Sequence, residues 1–517
     1  MTTPVRNIVI LGGGTAGWLT AGTIAAKLKK EFEQGYSITL VESPNVPPIG
    51  VGEGTWPTMR RTLKNMGVRE TDFIRECQVS FKQGAKFAQW VTGKPDDFYY
   101  HPLVLPQDFE QTNLVPHWQS IAQAPSFAQA VSPQETVCEM GLAPKKITTP
   151  EYQADINYAY HLDAGRFSTF LKNHCTSQLG VRHVLADVTQ VVSATNGDIQ
   201  SLKTQQGKEV SGDLFVDCSG FQSLLLGQHY QVPFVSCADV LFVDNAIAVQ
   251  VPYQAPDTPI ASHTISTGQS AGWIWDIGLT QRRGVGHVYS SRHISQDQAH
   301  HELLSYIKPF CQDPTQLNFK QIPITSGHRK VFWQNNCVAV GLSAGFLEPL
   351  EASALLLVEI SANFIAERLP TGRQAMDWVA KRFNQTADYR WQCIVDFLKL
   401  HYMLSQRQDT AFWRDNRDEA TIPERLLERL ALWKYQTPWQ DDFDQTTEVF
   451  PAASYQYVLY GMGFETLASP FGLSAASKKI AMTSFNKNIA LTQSLLSSLP
   501  SNRELINQIK QYGLQPL

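Results

Sequence analysis

The sequence has no paired cysteines. Its eight, Cys77, Cys138, Cys175, Cys218, Cys237, Cys311, Cys337 and Cys393, are scattered singly, with no CxxC and no His-rich metal spacing. That excludes a sequence-evident zinc site and predicts a reduced, cytoplasmic protein with no metal. Long apolar runs are missing, so no membrane span is expected. The opening MTTPVRNIVILGGG is interrupted by glycines where a signal peptide needs an unbroken apolar core. An excess of one charge is also missing. The 43 Lys+Arg and 47 Asp+Glu leave a net charge of -4, which argues against nucleic acid or an anionic membrane as partner. Repeats and low-complexity segments are absent as well. What is present is an ordinary globular composition, 43% hydrophobic and 11% aromatic over 517 residues, enough for a sizeable core. A small-molecule substrate is the default partner.

The first element is a short buried strand, NIVIL at Asn7 to Leu11. GGGTAGW then leads into a helix running through Leu19, Ile24 and Leu28, and SITLV forms a second strand ending at Glu42. Gly12, Gly14 and Gly17 complete GxGxxG in the strand-to-helix setting that the motif requires. Gly12 permits the turn, Gly14 lets the backbone approach a pyrophosphate, and Gly17 lets helix and strand pack closely. Thr15 and Ala16 open the helix, whose N-terminus attracts phosphates. Glu42 is placed to bind ribose hydroxyls. The bland alternative, a glycine turn with no ligand, does not explain why strand, helix and acid agree.

Ser43 to Pro57, SPNVPPIGVGEGTWP, reads as a functional loop and includes Gly52. Thr58 to Glu76 reads as helical and Val79 to Trp90 as a strand. Ala164 to Gln178 reads as a helix, followed by strands turning at Asn196-Gly197 and Gln206-Gly207. Ala246 to Tyr289 is strand-rich. Cys337 to Gly341 reads as a buried strand leading through a loop into a long helix, and beyond Thr371 helical periodicity dominates. The pattern implies an α/β fold: residues 1–372 as a dinucleotide module with an embedded sheet at about 236–325, and 373–517 as an added, mainly helical substrate module.

FAD is preferred over NAD because DLFVDCSGF, Asp213 to Phe221, resembles a segment that FAD monooxygenase-like proteins set beside a Rossmann core. CVAVGLSAGFLEP, with Leu342, would bring a helix N-terminus to the flavin, as in that superfamily. In GWIWDI, Gly272 to Ile277, strand alternation puts Trp273 and Trp275 on one face. Taken alone, such a pair is ordinarily core. In a flavoprotein it could wall an organic substrate off from the flavin.

Together the motifs resemble the flavin-dependent tryptophan halogenase family over nearly the whole chain. They are GGGTAGW, IGVGEGT at Ile49 to Thr55, VSFKQGAKF at Val79 to Phe87, FYYHP at Phe98 to Pro102, AYHLDAGRF at Ala159 to Phe167, DLFVDCSGF, GWIWDI, FLEPLEAS at Phe346 to Ser353, and HYMLSQRQDTAFWR at His401 to Arg414. The resemblance implies a Rossmann-like FAD-binding module of the flavin monooxygenase superfamily. It implies that FADH2, delivered by a separate reductase, activates O2 for oxidation of a halide ion to hypohalous acid. The family's catalytic lysine falls on Lys82 and its glutamate on Glu351, with Ser353 and Ala354 as halide binders, Trp273 and Trp275 as the barrier, and His101 against an aromatic substrate. A homodimer is compatible with it.

Read from the residues alone, Lys82 and Lys86 are indistinguishable. Both would lie on one strand face, and a lysine is ordinarily solvated. Glu351 would be an ordinary helix-terminal acid, and His101 a loop histidine. The sequence departs from the family at three places. Gly278 replaces a proline and should loosen the turn after GWIWDI. PLEASA lacks the usual glycine, which stiffens the loop at Ala354. IGVGEGT has an added glycine. VFPAASYQYVLYGMGF does not match the family's amino-acid-binding segment, so indole is as good a candidate as tryptophan. A flavin aromatic monooxygenase and a non-catalytic FAD-binding protein are the alternatives.

Overall fold

The structure, a computed structural model, describes residues 4–30, 32, 35–46, 52–444, 448–467 and 473–517. Its contacts gather into two compact units, each assembled from three segments. One comprises 1–79, 162–237 and 325–391, and the other 80–161, 238–324 and 392–517. The sequence reading divides the chain by position, at 372/373. The contacts instead group the sheet of 238–324 with the C-terminal helices.

The first unit is built on a six-stranded sheet in the order Trp333–Gln334, Cys337–Ala339, Leu214–Asp217, Asn7–Leu11, Ser37–Glu42 and Arg182–Leu185. Asn7–Leu11 runs parallel to both neighbours, Ile8 facing Leu214 on one side and Ile38 on the other. Its Ile-Val-Ile-Leu run is buried throughout, as a strand covered on both faces must be. The helix Thr15–Lys27 is buried from Gly17 to Ala25 and packs against the helices Ala164–Gln178 and Ser353–Glu367. Ala164–Gln178 has the bounds its periodicity predicts, and Asp163 caps it through the Arg166 N–H.

The second unit centres on a seven-stranded sheet, ordered Phe319–Pro323, Asn245–Pro252, Arg282–Tyr289, Gly272–Gly278, Thr264–Gln269, Gly84–Ala88 and Phe98–Pro102. All neighbours are antiparallel except Thr264–Gln269 against Gly84–Ala88. One face carries Ile247, Val249, Ile274 and Val285 against Ala299, Leu303 and Ile307 of the helix Gln296–Ile307. By register, Trp273, Trp275, Phe87, Tyr99 and His101 share the opposite face.

Four sequence expectations are corrected. The helix over 58–76 is two helices, Thr58–Asn65 and Glu70–Glu76, because Gly67 turns the chain at φ +76. The strand over 79–90 is Ser80–Lys82 and Gly84–Ala88, which belong to different sheets. The loop 43–57 contains a three-residue strand, Gly52–Gly54. The strand 337–341 stops at Ala339, and Gly341–Ser343 forms a turn of 3₁₀ helix. In IGVGEGT, residues 49–51 lie outside the described residues, and the added glycine, Gly54, ends the strand Gly52–Gly54.

Candidate functional site

In the first unit, the glycine turn has little room for side chains except at one point. Gly12 sits at φ +123, and a Cβ there would lie 2.1 Å from the Cys218 carbonyl oxygen; a Cβ on Gly17 would lie 1.9 Å from the Gly12 oxygen. At Gly14 a Cβ would meet nothing within 4 Å. Gly14 is also the N-cap of Thr15–Lys27, with no side-chain cap and no acid in the first turn. No acid of the helix's own first turn therefore competes for the backbone N–H groups there. An open cradle at a dipole-positive helix end fits a dinucleotide pyrophosphate.

Glu42 ends its strand beside this turn. Its carboxylate accepts from Lys172 Nζ at 3.4 Å, and His183 Nε2 lies 2.7 Å from it. The DLFVDCSGF segment supplies Asp217, fully buried, whose carboxylate accepts from the N–H groups of Ser219, Leu225 and Leu226 and from the Ser219 hydroxyl. Its role is to hold the chain that backs Gly12. Leu342 follows Gly341, where a Cβ would come 2.7 Å from the Cβ of Ala16. The turn around Leu342 thus lies against the start of the dinucleotide helix.

Glu351 is 5% exposed and precedes the helix Ser353–Glu367. Its carbonyl oxygen accepts from Trp56 Nε1 at 3.0 Å. The GTWP motif contains this tryptophan, yet its partner lies 295 residues away and sequence reasoning missed it. Ala352 takes φ +53, a left-handed conformation, and Ser353 and Ala354 already belong to the helix. The expected stiffening at Ala354 is therefore corrected. Position 354 lies in a first helical turn, where alanine is favoured over glycine, and the strained residue is Ala352.

In the second unit Lys82 is 4% exposed, buried rather than solvated. Lys86 is a different case. It pairs with Glu139 at 2.7 Å and lies over the rings of Phe98 and Tyr100. The two lysines do not share a strand face, because the chain leaves one sheet for another at Gln83. Lys82 faces the same side of its strand pair as His161, while Phe81 and Tyr160 occupy the other side. Burial, and after it the charge of Lys82, pushes the His161 imidazole well below its ordinary range, so it is neutral.

Trp273 and Trp275 meet edge to face, ring centroids 6.4 Å apart. Gly286 lies under the second: a Cβ there would fall 2.2 Å from the Trp275 ring. Gly278 does not loosen a turn. It remains in the ladder opposite Arg283, and its carbonyl oxygen accepts from the Ser80 hydroxyl at 2.5 Å.

His101 lies on the strand Phe98–Pro102, not in a loop. Its Nε2 and the Ser454 hydroxyl are 2.9 Å apart, and the rings of Phe397, Phe450 and Tyr457 surround it at 5.7 to 6.4 Å. Ser454 and Tyr457 come from VFPAASYQYVLYGMGF, the segment that does not match the family by sequence. No spacing rule links residues this far apart in the chain.

A parallel sheet with this glycine turn, open helix end and acid-tipped second strand defines a dinucleotide-binding α/β protein. Comparison with known proteins narrows the class. The tryptophan halogenase family profile matches residues 7–476. A tryptophan halogenase of Shewanella frigidimarina superposes with a TM-score of 0.96 at 48% identity, covering 100% of this chain and 99% of that one. Tryptophan 6-halogenase SttH of Streptomyces toxytricini is 32% identical over 96% of this chain and 97% of its own. BrvH of Brevundimonas sp. BAL3, described as a flavin-dependent halogenase, superposes with a TM-score of 0.84 at 34% identity over 98% of this chain and 99% of its own. The chain belongs to the tryptophan halogenase family and is a flavin-dependent enzyme. No helix among the described residues is long and apolar enough to cross a membrane.

Proposed function

We propose that this enzyme halogenates an electron-rich aromatic of the indole type, tryptophan or indole itself, using FADH2 from a separate reductase, O2 and a halide ion. The observation that carries the reading is the burial of Lys82. A lysine is seldom withdrawn from water unless it is paired, as the buried Lys145 and Lys399 are, or has a task there. Gly12, Gly14, Thr15, Ala16, Gly17, Glu42, Gly52 and Leu342 would hold reduced FAD, which when bound would supply the activation of O2 for oxidation of halide.

The chain's own groups do the rest. Ser353 and Ala354 present backbone N–H groups at a helix N-terminus, which suits a halide ion. Trp273 and Trp275 stand as a barrier that small species pass and an indole does not. Lys82 holds the hypohalous acid and directs its electrophilic halogen to one ring carbon. Glu351 polarises that species and takes the proton leaving the ring. His101 and the rings around it hold the aromatic flat, so that position sets regiochemistry.

The test supplies a flavin reductase, NADH, FAD, O2, bromide or chloride and a panel including tryptophan and indole, with products read by mass spectrometry. A halogen isotope pattern supports the reading, and hydroxylation independent of halide overturns it in favour of a monooxygenase. Lys82→Ala is expected to lose halogenation by at least about a hundredfold, as general acid–base groups do, while binding FAD as the wild type does. Wild-type turnover in Lys82→Ala would remove the role given to Lys82.

A further inference from the structure

Behind Trp273 and Trp275, on the same face of the seven-stranded sheet, lies a run of oxidisable rings rather than aliphatic packing. Trp273 is 6.4 Å from Trp90, centroid to centroid, and Trp90 is 5.3 Å from Trp413. Trp90 and Tyr99 both pack on Phe87, at 5.6 and 4.7 Å, so a single ring separates them. Tyr99 is buried, and its hydroxyl lies 2.6 Å from His401 Nδ1. Leucine and phenylalanine would fill this space as well; what tryptophan and a histidine-paired tyrosine add is ready loss of an electron.

We propose that these rings form a one-electron relay that carries oxidising equivalents away from Trp273 and Trp275 and delivers them to the Tyr99–His401 pair. The proposal rests on the reading that this enzyme handles a strong oxidant. When a turnover misfires, an oxygen-centred radical such as hydroxyl takes one electron from Trp273 and becomes hydroxide. Trp90 gives one electron to the Trp273 radical cation. Tyr99 then gives one electron to Trp90, and its phenolic proton moves along the existing hydrogen bond to His401 Nδ1, in the tautomer whose proton is on Nε2. The end state is a neutral tyrosyl radical beside an imidazolium. A solution thiolate returns one electron, becoming a thiyl radical, and the proton returns from His401 to the phenolate.

The proton transfer gives the route its end. The guanidinium of Arg407, held by the Asp409 carboxylate, sits 4.5 Å over the Trp413 ring, and no proton acceptor pairs with that branch as His401 does with Tyr99 among the contacts described above. Tyr99 needs no positive charge on its own ring, because its proton leaves with the electron.

The test compares wild type with Tyr99→Phe, which keeps the ring and its stacking. Each holoenzyme is run with reductase, NADH, O2 and bromide but no aromatic substrate, then frozen for electron paramagnetic resonance and digested for peptide mapping. Wild type is expected to show a tyrosyl signal that Tyr99→Phe lacks. Tyr99→Phe should start at the wild-type rate, accumulate several-fold more oxidised indole at Trp273 and Trp90, and inactivate after several-fold fewer turnovers. Equal indole oxidation in the two proteins, or a tyrosyl signal that survives in Tyr99→Phe, overturns the relay. Failure of the halogenase reading shows separately, as wild type making neither bromotryptophan nor bromoindole when tryptophan and indole are supplied. The radical measurement needs only reduced flavin and O2.

Discussion

At the scale of the residue, a shared face counts for more than identity. Trp273 and Trp275 are placed by simple alternation, but the room for the second ring comes from a glycine on the next strand. Gly286→Ala would put a methyl group 2.2 Å from the Trp275 ring, and a strand backbone in mid-sheet cannot retreat. The expected result is a loss of about 1 to 3 kcal/mol, as for an overpacked core, read from urea unfolding. An unchanged unfolding midpoint would mean that the ring has space to turn aside. The buried lysine follows the same logic. Lys82 and Lys86 are four positions apart and chemically identical, and only the break at Gln83 sends one into the interior and the other to Glu139.

At the scale of the element, the helices Thr58–Asn65 and Ser353–Glu367 are joined by an acid that neither needs for catalysis. Glu359 is 1% exposed and accepts from the Thr62 hydroxyl at 2.5 Å and from Thr58 at 3.0 Å. Burial pushes its carboxyl up to about 7 from an ordinary 4.5. Between those values the native state keeps a proton that the unfolded chain has lost, so stability falls as pH rises through this window and levels off above about 7. Glu359→Gln removes that slope. Its stability relative to wild type should improve by roughly 3 kcal/mol from about pH 4 to about pH 8, read as the difference between paired denaturant melts. A constant difference across that range would show that Glu359 titrates in the fold as it does in the unfolded chain.

At the scale of the whole molecule, a ligand that binds only the folded chain should stabilise it. FAD at a hundredfold excess over its Kd is worth about 2.7 kcal/mol by mass action, so wild type should melt at a higher temperature with FAD than without. Gly14→Val tests the cradle directly. The residue has φ -75 and open space where its Cβ would stand, so the apo protein should melt close to wild type. The added side chain occupies the path of a pyrophosphate, and FAD should no longer raise the midpoint. A full FAD-dependent rise in Gly14→Val would move the cofactor away from this turn.

The sequence by itself determined the dinucleotide turn, because GxGxxG between a strand and a helix is local physics: backbone conformation, close approach and a helix dipole within a dozen residues. It also determined that Trp273 and Trp275 share a face, since a strand has period two, and the family motifs carried the enzyme class. Only the tertiary structure decided which lysine is buried, that Trp56 holds the Glu351 carbonyl, and that Ser454 meets His101. Those contacts join segments from 295 to 353 residues apart or depend on where a strand changes sheet, and no periodicity reaches that far. The chain writes its turns and faces locally; which faces meet is settled by burying them together.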